Sequence, residues 1–195
     1  HSQSNEAWFF HTPGLKILFP SSPYEAKGLL AAAIEDPNPV MFFEHKLLYR
    51  SIREEIPDAY YTIEIGKANK VQEGKDLTII SYGAAVHWAK KYAEEHSQWS
   101  VEIIDLRTLL PLDTESIYAS VKKTGRVLVL HEDCLTGGIG SEIVALISEN
   151  CFEDLDAPVK RIASLDTPVP FAANLERQFL PEDRIHESIE ELMHY

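Results

Sequence analysis

The sequence predicts an α/β chain built on a mostly parallel open sheet. Three observations carry this. Short apolar runs of strand length alternate with segments of helical period. Helix-start signals stand just ahead of those helical segments. A stretch of mixed charge over 47–75 separates a short N-terminal part from a longer C-terminal one.

Taken in order, Leu15 to Phe19 reads as a buried strand. Ser22 follows as a helix N-cap, with Pro23 at the first helical position and Glu25 at the third, a capping box combined with the N1 preference of proline. That helix places Ala26, Leu29, Leu30, Ala33 and Ile34 on its apolar face and ends near Glu35, stopped by "DPNP" at 36–39. Val40 to Phe43 is the next strand, which makes one βαβ unit with a parallel crossover. Residues 47–75 show no sustained period and read as a long connection with one short strand at Tyr61 to Ile65.

The alternation then resumes. Leu77 to Ser81 is a strand and Ala84 to Glu95 a helix. Val101 to Asp105 is a strand, and Asp113 caps a helix running to Lys123. Arg126 to His131 is a strand, Ser141 to Phe152 a helix, Val159 to Ser164 a strand, and Pro181 to His194 a terminal helix. Four strands alternating with helices form a domain whose sheet is covered on both faces. One βαβ leaves the N-terminal part short of a stable sheet, so the opening stretch is expected to be the tail of a larger α/β domain, and the chain a C-terminal piece of a longer polypeptide.

Composition narrows the function. The 195 residues carry a net charge of −13, which disfavours nucleic acid, since a phosphate backbone needs a clustered basic face. No apolar run reaches the ~18 residues of a membrane span. The two cysteines, Cys134 and Cys151, lack metal-ligand spacing and read as inert buried thiols. In "LHEDCLTGGIGSEIV" a strand runs through Gly137, Gly138 and Gly140 into a helix. A dinucleotide fingerprint starting at Gly138 would need glycine at 143, where Ile143 stands, so the stretch reads as a tight strand-to-helix turn. At "AAAIEDPNPV" a helix C-terminus with Asp36 and Asn38 offers oxygens suited to a hard cation, or simply stops the helix.

Several stretches in the same order carry a resemblance: "HSQSNEAWFFHTPGLKILFPSSPYEAKGLLAAAIEDPNPVMFFEHKLLYR", "VEIIDLRTLLPLD", "KTGRVLVLHED" with "TGGIGSEI", and "DTPVPF". Together they resemble the beta subunits of the thiamine-dependent decarboxylase components of 2-oxoacid dehydrogenase complexes, nearest the branched-chain, 2-oxoisovalerate type. The resemblance implies residues 1–66 as the C-terminal part of a thiamine pyrimidine-binding domain and 67–195 as a transketolase C-terminal domain. It implies oxidative decarboxylation of branched-chain 2-oxoacids with acyl transfer to lipoamide, with a pyruvate-type beta subunit or a non-catalytic assembly module as the alternatives.

The same resemblance implies His1 as an active-site histidine that hydrogen-bonds and transfers protons, a task suited to imidazole. It implies a potassium ion held at Ala33, through its carbonyl, with Asp36 and Asn38. Thiamine diphosphate and its magnesium are expected in the parent enzyme and not on this chain alone, because the family's cofactor glutamate lies upstream and the GDG…NN motif belongs to the alpha partner. The implied partners are an alpha subunit or fused alpha part, a second beta copy and a lipoyl acyltransferase core, in bacterial cytoplasm or mitochondrial matrix, with no nucleic acid and no membrane. The 195 residues alone are expected to be inactive.

Overall fold

The computed structural model describes residues 3–195. The N-terminal part contributes α1 (Glu6–Phe10), β1 (Lys16–Leu18), α2 (Pro23–Glu35), β2 (Val40–Phe42) and the short α3 (Leu48–Ser51). The predicted capping box forms: the Ser22 side chain accepts from the Glu25 N–H, with Pro23 opening the helix. Strands β1 and β2 pair in parallel, as a crossover through α2 requires.

The larger sheet has the order β3-β5-β4-β7-β8, from β3 (Asn69–Gln72), β4 (Leu77–Ser81), β5 (Val101–Asp105), β7 (Val127–Cys134) and β8 (Lys160–Ser164). All neighbours pair in parallel except β3, which runs antiparallel along the β5 edge. Its central strands are buried on both faces, and side chains alternate between two cores. Ile80, Ile104, Val127 and Val129 face α5 (Thr114–Thr124) and α6 (Gly140–Cys151). Leu77, Ile79, Ile103, Leu128 and Leu130 face α4 (Ala84–Glu95) and α8 (Ile185–Met193). Each such side chain contributes roughly 1.5–3 kcal/mol by leaving water.

The structure differs from the sequence reading in several places, among them the short helices α1 and α3, which that reading does not assign. Residues 61–65 form no strand. The Ile63 N–H bonds the Gly28 carbonyl of α2 at 3.1 Å, and Tyr61 stacks on Tyr24 with centroids 4.7 Å apart, so the segment lies against a helix and has no strand partner. Gly28 permits this: a Cβ there would stand 2.7 Å from both Ile63 Cγ1 and Tyr61 Cε2. The strand in that connection is β3 instead. The second correction is β6 (Thr108–Leu110), which pairs antiparallel with β1 and makes a three-stranded sheet β2-β1-β6. Third, the chain end holds two helices, α7 (Ala173–Phe179) and α8, joined by a 3₁₀ turn at Glu182–Arg184. Fourth, β7 runs on to Cys134.

Candidate active site

Strand β7 carries the sequence "HEDC" out of the sheet at its C-terminal end, the end where open parallel sheets place their ligands. Opposite it lies the turn that leads into α1. A cleft of about 340 Å³ is lined from both segments, by Gln3, Ser4 and Trp8 and by Glu132, Asp133 and Thr136. Among the described residues lining it there is no Lys or Arg.

Behind the Ser4 wall sits Glu6, fully buried in the first turn of α1. Its Oε1 accepts from the Tyr82 phenol at 2.6 Å, and its Oε2 from the Ser4 hydroxyl at 2.9 Å. Burial raises its carboxyl to about 7, aided by the charge of Asp133. Tyr82, just past β4, is itself buried, which lifts its phenol well above 10.0, and its ring stacks 6.1 Å from that of His131. Burial holds His131 down to about 4, so it is neutral at ordinary pH. Asp133 is raised, again by burial. At the rim, His45 Nε2 meets Glu132 Oε2 at 2.7 Å, and that bond raises the imidazole. The site therefore holds groups that exchange protons near neutrality on a surface partly withdrawn from water.

The Gly-rich turn has the bland role. A Cβ on Gly140 would stand 2.6 Å from His131 Nε2, and one on Gly138 would stand 2.6 Å from His131 Cε1. These glycines make room for the buried imidazole. Cys151 is buried and Cys134 half-buried, both free, with burial raising both thiols.

A second polar cluster ties α2 to the larger sheet. Arg107 Nε meets Glu25 Oε1 at 2.7 Å, while Ser21 Oγ bonds both Glu25 Oε2 at 3.0 Å and Asp105 Oδ2 at 2.5 Å. Burial would raise Glu25, but the Arg107 charge holds it below 4.5; burial and the Glu25 charge push Asp105 well up.

Of the residues singled out from sequence, His1 lies outside the described residues. Ala33 is in the last turn of α2, Asp36 caps it, and Asn38 follows. The Asp36 side chain pairs with Lys16 and accepts from the Asn38 N–H and side-chain amide at 2.9 and 3.0 Å; the Lys16 bond leads in lowering it to about 2. Residue 37 is proline, so the Ala33 carbonyl has no helical N–H to accept. No group of three or more His, Cys, Asp or Glu side chains among the described residues is arranged to hold a metal. The sequence reading missed Glu6, Tyr82 and His131. The one available signal was an acidic residue, Glu6, directly ahead of the apolar run in "NEAWFF".

Comparison with known proteins fits this architecture. A family model for the transketolase C-terminal domain matches residues 66–184, and one for the transketolase pyrimidine binding domain matches 1–51. The chain is 49% identical, over its full length, to the 2-oxoisovalerate dehydrogenase subunit beta of Bacillus subtilis, and 50% identical to the mitochondrial one of Dictyostelium discoideum. It is 48% identical over 93% of its length to the pyruvate dehydrogenase E1 component subunit beta of Staphylococcus aureus. It spans 61%, 53% and 56% of those relatives respectively. A solved chain described as a split gene transketolase, inactive beta4 tetramer, superposes with a TM-score of 0.76 over 96% of this chain and 60% of that one, at 21% identity.

Proposed function

The chain belongs to the transketolase C-terminal domain family, and from that premise we propose that it is the C-terminal part of a beta subunit of a thiamine diphosphate-dependent 2-oxoacid dehydrogenase, of the 2-oxoisovalerate type. One observation carries the reading: identity of 46–50% along the full chain with three 2-oxoisovalerate dehydrogenase beta subunits. In this reading residues 1–66 belong to the pyrimidine-binding domain and 67–195 are the C-terminal domain. The parent enzyme decarboxylates branched-chain 2-oxoacids and passes the acyl group to lipoamide. An alpha subunit, a second beta copy and an acyltransferase core are its partners.

The cleft gives the reading a physical division of labour. A diphosphate needs cations or backbone N–H groups around it, and the described wall holds neither Lys nor Arg. We assign the diphosphate and magnesium to the alpha partner and to the part of the beta subunit that this chain does not cover, as the family resemblance implies. This chain's share is the proton-handling wall, with His1 as the catalytic histidine at the head of "HSQS". The potassium reading rests on Ala33, whose carbonyl lacks a helical donor. With the Asp36 carboxylate engaged by Lys16, Asp36 would face a cation through its carbonyl, beside Asn38.

The test is turnover of 2-oxoisovalerate and of pyruvate by the full-length beta subunit assembled with its alpha partner. Branched-chain turnover that requires thiamine diphosphate is expected, with His1→Ala lowering kcat by about 10²-fold or more. Preference for pyruvate would move the assignment to the pyruvate enzyme. Turnover by the isolated 195 residues would overturn the division of labour.

A further inference from the structure

A hydroxyl between a cleft and a buried carboxyl has two hydrogen-bonding states. Ser4 lines the cleft, and its Oγ lies 2.9 Å from Glu6 Oε2. Glu6 Oε1 is committed to the Tyr82 phenol at 2.6 Å, and Tyr82 is 3% exposed. The backbone N–H of Glu6 also favours the carboxylate, and the oxygen able to change its role toward the cleft is the one bonded to Ser4. When Glu6 is ionised it can only accept, so the Ser4 O–H turns inward and Ser4 shows the cleft a lone pair. When Glu6 is protonated, its own O–H donates to Ser4 Oγ, and the serine O–H is released toward the cleft.

We propose that Glu6 is a positioning residue that sets the polarity of Ser4, making the serine a hydrogen-bond donor to a ligand oxygen in one protonation state and an acceptor in the other. The groups facing Glu6 make both states accessible. Tyr82 donates in either state, no Lys or Arg among the described residues is in contact, Asp133 from β7 adds negative charge, and His45, itself paired with Glu132, interacts with Glu6 through its charge. The raised carboxyl places the change near neutral pH. Because Glu132 and Asp133 also line the cleft, the fitting ligand atom is a neutral acceptor, the carbonyl oxygen of an oxoacid chain. This choice of ligand rests on the function proposed above.

Glu6→Gln separates the possibilities. A glutamine amide donates to Ser4 at every pH and keeps an oxygen for Tyr82, so it imitates the protonated acid. In the assembled enzyme, KM for 2-oxoisovalerate is expected to rise with pH through about 7 in the unmodified protein, and E6Q is expected to abolish that rise, with kcat changing less. An unaltered KM profile in E6Q would overturn the proposal. A second measurement needs no activity. Infrared difference spectra of the full-length beta subunit with its alpha partner, unmodified minus E6Q, are expected to show a protonated carboxyl band that disappears on passing about 7 and shifts its midpoint in Ser4→Ala. No such band at pH 6, or a midpoint indifferent to S4A, would overturn the relay. If the unmodified enzyme turns over no oxoacid, the function proposed above fails, and the infrared midpoints alone decide the relay.

Discussion

The three glycines after β7 look alike in sequence and differ in what surrounds them. Gly137 has φ +76°, and a Cβ there would meet nothing within 4 Å, whereas Gly138 and Gly140 abut His131. Gly137→Ala is therefore expected to cost only the left-handed backbone, about 1 kcal/mol. Gly140→Ala must displace a buried imidazole held against Tyr82 and is expected to cost about 1–3 kcal/mol. Urea unfolding of the two variants checks the order; equal losses would mean that the turn itself, and not the histidine beneath it, requires the glycines. Glu6 adds a pH signature to the same region. Its folded value of about 7 lies above the ordinary 4.5, so its contribution is fully present below 4.5 and is lost as pH rises through about 7. E6Q is expected to flatten thermal stability across that window.

Helix caps decide where elements start, and they are local, which is why they are legible in sequence. Ser22 and Asp113 both cap the helices their spacing predicts, and α4 occupies the residues its period predicts. What escapes a sequence reading is nonlocal. Strand β3 is a half-buried edge with no period of its own, defined only by its pairing with β5. Strand β6 exists because β1 lies beside it. Tyr82 and Glu6 are 76 residues apart, so no window of sequence joins them. The caps also differ in reach. The Ser22 side chain serves its own helix through the Glu25 N–H. Asp113 bonds the Ser116 N–H at 3.1 Å and also the Ala68 N–H at 2.9 Å, anchoring the approach to β3. Ser22→Ala is expected to cost about 1 kcal/mol and Asp113→Ala about twice that, read by denaturant midpoints. In hydrogen exchange the D113A loss should extend to β3 amides.

The N-terminal part and the larger sheet are joined through few charged contacts, and Arg107 is the centre of one. Its backbone is left-handed at φ +57°, its carbonyl accepts from the Phe19 N–H at 2.7 Å, and its guanidinium meets Glu25 with both side chains largely buried. Removing the guanidinium leaves Glu25 beside Asp105 with no counter-charge, a change that costs about 3–5 kcal/mol in buried pairs. The sign of the pH dependence should also invert. In the unmodified protein Glu25 sits below 4.5, so its contribution is present above 4.5 and lost as pH falls through the lowered value. In Arg107→Met, burial dominates and raises the carboxyl, so stability should instead fall as pH rises above 4.5. The double variant R107M with Glu25→Gln carries no unpaired charge at that position. It is expected to recover a substantial part of the loss and to lack the inverted slope. Calorimetric melting of the three proteins between pH 4 and 8 is the measurement. If R107M melts with the unmodified slope, the joint is held by the β1–β6 pairing and the apolar contacts around Phe19, and the ion pair contributes only specificity of fit.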